Sequence, residues 1–239
     1  MSTILFIALH AAESREYSTH DYIRFQRHCM LAVFDLQQTR QSINRMDKTR
    51  ILRWRDDPFA VCAWRGVTCM YSIVRAIEWD TELSGDHAVR LTWMDVRWLP
   101  PTVHRVLIAN QFGCKPSPAS TRHFPREVTN LRMSCCALFG SIDMTVLPLS
   151  LEILDLAGNQ FHGELVLANL PRSLVIMNLR RNDFHSVLVD NESLPSNFRQ
   201  CALCRYQKNR VHVRTVTGAP LDGRVIVERI NIFGRVYID

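Results

Sequence analysis

The side chains best suited to chemistry in this chain are its eight cysteines. Cys201-x-x-Cys204 has the spacing of half a zinc site or of a thiol–disulfide redox pair. Zinc needs two further ligands, and only His212 lies near in sequence. Redox chemistry of the thioredoxin kind needs a βαβ setting that the surrounding residues do not supply. Cys135 offers a nucleophile, but its thiolate wants a base within reach, and no histidine recurs at a neighbouring position. No Walker loop, H-E-x-x-H or G-x-S-x-G is present. The expectation is a chain without catalytic residues, metal or cofactor, and so not an enzyme.

Recognition chemistry is the other resource. Arg105, Asn130, Arg132, Asp155, Asn178, Arg180, Arg181, Arg199 and Arg205 place guanidinium, carboxamide and carboxylate groups at positions that recur at regular intervals. If those intervals are turns of one repeating element, all nine share a face. Arg132, Arg180, Arg181, Arg199 and Arg205 would then form a basic strip, interrupted by Glu152 and Asp155 and suited to an acidic protein surface. The competing reading is a merely solvated face.

The interval is set by Leu151 to Asn182. Leu151, Leu154, Leu156, Asn159, Phe161, Gly163 and Leu165 reappear 23 residues later as Leu174, Met177, Leu179, Asn182, Phe184, Ser186 and Leu188. The same displacement upstream gives Val128, Leu131, Met133, Cys136, Leu138, Gly140 and Ile142. L-x-x-L-x-L-x-x-[N/C] at a period in the twenties is the leucine-rich-repeat signature. Counting the first residue of each block as offset 1, offsets 3 to 7 form a short strand, with 4 and 6 inward and 5 outward. The Asn at offset 9 carries donor and acceptor, and so satisfies backbone groups stranded inside the stack. A second ladder, [L/F]-P-x-x-[V/L/F], has prolines at 100, 125, 148, 171 and 195, spaced 25, 23, 23 and 24 residues. Gly140 and Gly163 suit a positive φ or a close backbone approach where the convex return begins. Asn110 falls one place early, with Gln111 at offset 9, and residues 113–122 read as a convex loop.

Ahead of the repeats, residues from about Glu13 to Met46 have helical spacing, with Tyr22, Phe25, Cys29, Leu31 and Val33 on an apolar stripe. Trp54 and then Cys62-Ala-Trp64-Arg-Gly66-Val67-Thr68-Cys69 follow. This W-x(n)-C-x-W-x-G-V-x-C pattern resembles the N-terminal cap of plant-type leucine-rich-repeat proteins. That resemblance implies a Cys62–Cys69 disulfide, a Trp64 packed on the first repeat, and a plug over the open end of the stack. The convex G-x-[I/L]-x-[M/L] form departs from the plant G-x-I-P and resembles protistan leucine-rich-repeat proteins instead. The likeness covers roughly residues 20–200. It implies an α/β fold, a right-handed leucine-rich-repeat solenoid with a parallel concave sheet, a helical N-terminal cap and an irregular β C-terminal cap. The expected divisions are a tail over 1–13, a helical cap over 14–72, repeats over 73–198, and a degenerate repeat with C-terminal cap over 199–239.

At 239 residues, with 47% hydrophobic and 22% charged side chains, the chain has the composition of a packed protein rather than a disordered one. No apolar run is long enough to span a bilayer. Ile4 to Leu9 with Ala11 and Ala12 faintly resembles a signal peptide but lacks a basic start. Asn191-Glu192-Ser193 is a lone N-glycosylation triplet. An oxidised Cys62–Cys69 pair implies a secretory compartment; in the cytosol the thiols simply pack. The compartment is left open on these grounds. The functional expectation is a non-enzymatic module that binds a protein through its concave face. The net charge of +6 motivates one alternative, a nucleic-acid or ribonucleoprotein component. The cap cysteines motivate another, a secreted receptor-like ectodomain.

Overall fold

The computed structural model describes residues 18–33, 51, 59–82, 89–91, 93–206, 211–230 and 236–238. Expectations for Trp54 and the tail over 1–13 lie outside these residues, as do the outer parts of the helix expected over 13–46.

Helix α1 runs Thr19–Ala32, with the Ser18 hydroxyl accepting the Asp21 N–H at its start. Strands follow in chain order: β1 (Val67–Met70), β2 (Ile73–Asp80), β3 (Arg105–Ala109), β4 (Ser117–Pro118), β5 (Asn130–Arg132), β6 (Leu138–Gly140), β7 (Ile153–Asp155), β8 (Gln160–Leu167), β9 (Ile176–Asn178), β10 (Asp183–Val189), β11 (Gln200–Tyr206), β12 (His212–Thr215), β13 (Val225–Ile230) and β14 (Val236–Ile238). They build two sheets with the core between them. One has nine strands in the order β1-β2-β3-β5-β7-β9-β11-β13-β14 and the other five, β12-β10-β8-β6-β4. From β3 to β13 the chain alternates between the sheets, which is the course of a parallel-sheet solenoid. Among the described residues, only the outermost strands of the larger sheet, β1 and β14, pair antiparallel to their neighbours.

Register explains the spacing. Val106, Leu131, Leu154, Met177 and Cys201 are successive cross-strand partners, and each is buried. Ile108, Met133, Leu156, Leu179 and Leu203 form a second buried row two residues on. Between the strands and the return, the buried amide of Asn159 accepts from the Cys136 and Leu138 N–H groups, each at 3.1 Å, and donates to the Met133 and Leu156 carbonyls. Asn182 repeats this toward Phe161 and Leu156. Gln111 fills the same role in the preceding turn, accepting from the Leu91 N–H and donating to the Val89 carbonyl. The apparent misplacement of Asn110 has a backbone cause. Asn110, Cys135, Gly158 and Arg181 all occupy offset 8, and all have φ between 54° and 69°. The left-handed turn, not the amide ladder, claims that position, and Asn tolerates it better than most side chains.

The return segments differ from the expected loop over 113–122. Ser117 and Pro118 pair in parallel with Leu138 and Phe139, so this stretch opens the second sheet, and a 3-10 turn follows at Thr121–His123. Gly140 has φ +136°, and a Cβ there would press into the Ala119 carbonyl of the preceding turn. At the front of the stack α1 lies against β2. The buried Gln26 amide donates to the Ser72 carbonyl at 3.0 Å and accepts from the Val74 N–H at 2.6 Å. Cys62 and Cys69 are disulfide-bonded. Trp64 is buried, and the Trp79 indole donates to the Arg65 carbonyl at 2.8 Å. Gly66, at φ +69°, leaves no room for a side chain against the Glu78 carbonyl.

Candidate functional site: the open face of the nine-stranded sheet

Alternation sends every second side chain of the larger sheet away from the core, and pairing register sorts these into rows. Arg105, Asn130, Ile153, Ile176 and Gln200 form one row, and Leu107, Arg132, Asp155, Asn178 and Ala202 the next. Eight of the nine residues in the expected recognition set have described side chains. Arg105, Asn130, Arg132, Asp155 and Asn178 lie in these rows, and Arg180 and Arg181 follow β9 along the same face. Arg199 precedes β11, and its side chain is exposed. Arg205 lies within β11, and its side chain is outside the described residues.

Two of the arginines on this face, Arg105 and Arg180, are ion-paired to acids. The Arg105 guanidinium pairs with Glu78 at 2.7 Å. Arg180 makes a two-pronged contact with Glu228, its Nε donating to Oε2 at 2.8 Å and its terminal nitrogen to Oε1. Hydrogen bonding to the Glu228 carboxylate holds the Arg180 guanidinium above its ordinary value, against a smaller opposing effect of burial. Strand β11 passes between the partners and sets Cys204 opposite Glu228. This bridge explains why Cys204 is buried although it stands on an outward offset. Arg132 and Arg181 remain exposed. Arg132 donates from Nε to the Asn130 Oδ1 at 3.2 Å. Asp155 accepts from the Ala157 N–H at 3.0 Å.

Two apolar residues at the centre are absent from the arginine-weighted set although offset 3 selects them. Ile153 and Ile176 are register partners, and Ile176 remains 37% exposed. Polar side chains stand beside them. Glu228 is the other omission. Its outward position follows from the inward Val227, but its pairing with a residue 48 positions earlier leaves no sequence signal.

The free thiols are packed rather than poised. Burial pushes Cys29 and Cys201 up to about 12 and Cys114 to about 11, and raises Cys136 well above its ordinary value. Cys135 is also raised, chiefly by burial, with Arg181 opposing. Among the described residues, no three His, Cys, Asp or Glu side chains are grouped to hold a metal, and no helix is long and apolar enough to cross a membrane. The Asn191 amide of the glycosylation triplet donates to the Pro220 carbonyl at 2.9 Å and accepts from the Asp222 N–H at 3.3 Å. No family model matches the chain, and no curated protein matches it in sequence.

Proposed function

We propose that this chain is a leucine-rich-repeat interaction module, without catalytic activity of its own, that binds a protein through the open face of its nine-stranded sheet. One observation carries the reading. Parallel sheets are ordinarily covered on both sides, yet here the outward rows of β3 to β9 keep exposed and half-buried side chains. Their arrangement, an isoleucine pair bordered by Asn130, Arg132, Asp155 and Asn178, follows the apolar-centre, polar-rim pattern of protein interfaces. The family assignment draws support from the amide ladder of Asn159 and Asn182 and from the 23-residue register. The disulfide, the buried Trp64 and the Gln26 contacts support an N-terminal cap, since a stack with an uncovered end exposes apolar core and a strand edge.

Among binding readings, the pairing of Arg105 and Arg180 with acids weighs against a polyphosphate ligand, which needs unpaired cations in a row. The Cys62–Cys69 disulfide favours a receptor-like ectodomain in an oxidising compartment as the second reading.

The test is quantitative affinity purification from the cells that make the protein, with wild type, Ile176→Glu and a control His162→Glu on the five-stranded sheet. A carboxylate at 176 should cut recovery of the specific partner at least tenfold while the control retains it, with unchanged circular dichroism for both. Equal recovery by Ile176→Glu would overturn the proposal.

A further inference from the structure

Among the described residues, two pairs of opposite charge close on the open face, while Asp155, which also feels the Arg180 charge, stands beside Arg132 without pairing to it. Glu78 with Arg105 and Arg180 with Glu228 are ion-paired. Arg132 and Asp155 are direct register partners on β5 and β7, about 4.8 Å apart along the hydrogen-bonding direction, yet they form no ion pair. Each is held by its own chain instead: Arg132 through Nε to Asn130, Asp155 through Oδ1 to the Ala157 N–H. Neither the Arg132 terminal nitrogens nor the Asp155 Oδ2 has a hydrogen-bond partner among the described residues. Both groups are therefore oriented before any partner arrives, which lowers the ordering cost of binding. They also sit mid-sheet, in the row between Leu107 and Asn178 and next to the Ile153–Ile176 pair.

We infer that Arg132 and Asp155 together read a protein segment that presents a carboxylate beside a cation, the carboxylate over β5 and the cation over β7. This rests on the open-face reading above and adds the partner's chemistry to it. In an extended segment, residues two apart point the same way at about 6.6 Å, a separation two side chains can bring onto a couple with this spacing. Such a segment lies along the stacking direction, across the strands. A uniformly acidic segment would gain at Arg132 and lose at Asp155, and a uniformly basic one the reverse. Charge complementarity therefore selects a mixed pair.

The test pans a random-sequence peptide library, displayed on phage, against the full chain as wild type, Arg132→Glu, Asp155→Lys and Ile176→Glu. Wild type should enrich peptides with an acid and a base two residues apart. Arg132→Glu should replace the recovered acid with a base, and Asp155→Lys the base with an acid. A wild-type peptide should lose at least tenfold in affinity for either variant. A consensus that ignores both charge reversals while Ile176→Glu abolishes enrichment would overturn this inference and leave the open-face reading standing. Undiminished enrichment by Ile176→Glu, or none by wild type, would overturn both.

Discussion

Asn159 meets a need that no aliphatic side chain can. Its single amide serves two N–H groups of one turn and carbonyls of two, all away from water. Asn159→Leu keeps the volume and strands those groups. With about 1–3 kcal/mol lost for each buried group left unpaired, the expected loss is about 3 kcal/mol or more, read from the denaturant midpoint. Asn130→Ala, on the open face, should cost less than about 0.5 kcal/mol. The buried thiols make a separate prediction. Cys29, Cys114 and Cys201 are raised on folding to about 12, 11 and 12 from an ordinary value of 9.0. The native state thus holds protons that the unfolded chain releases, and stability falls as pH rises from about 9 toward 11–12. Thiolate absorbance in an alkaline titration should therefore appear together with unfolding in that window. Ionisation of Cys29, Cys114 and Cys201 near pH 9 in the folded protein would contradict their burial.

The left-handed turn at offset 8 is the element that lets β3, β5, β7 and β9 leave the nine-stranded sheet. Gly158 is its least strained member, with φ +69° and a virtual Cβ 2.6 Å from the Cys135 Sγ. Gly158→Ala should cost at least about 1–2 kcal/mol, and adding Cys135→Ala should recover only the steric share, both read by thermal melting. Equal stability of Gly158→Ala and wild type would contradict a left-handed turn at this position. The strands of this sheet were legible because two inward positions at fixed offsets leave little freedom of phase. The second sheet was not. Its strands vary from two residues at Ser117–Pro118 to eight at Gln160–Leu167, and a register shift between Phe184 and Ser186 breaks alternation. One signal for the returns was present in the chain and gains its meaning from the geometry. Asp95, Ser120, Asp143 and Asp190 each stand five residues before a ladder proline, and each caps a 3-10 turn with its side chain.

At the scale of the whole molecule, the stack sorts its surface into two unlike faces. The five-stranded sheet shows His162, Glu164, His185, His212 and Arg214 outward together with the exposed Phe139 and Val166, with Glu164 contacting Ser186 and Arg214. The nine-stranded sheet shows an isoleucine pair and the uncommitted Arg132–Asp155 couple. Arg132, Asp155 and Asn178 lie in one outward row of this sheet, where alternation from the inward offsets puts them. The sequence could not show that Arg180 is already engaged, since Glu228 reaches it from β13 across an intervening strand. The open face as the protein-binding surface is the claim on which the function rests. Site-specific photo-crosslinking in the native cell tests it most directly, with a benzophenone side chain placed in turn at 132, 176, 162 and 214. Adducts to one protein from 132 and 176, with none from 162 and 214, are the expected result. Adducts confined to 162 and 214, or none at 132 and 176, would contradict the account.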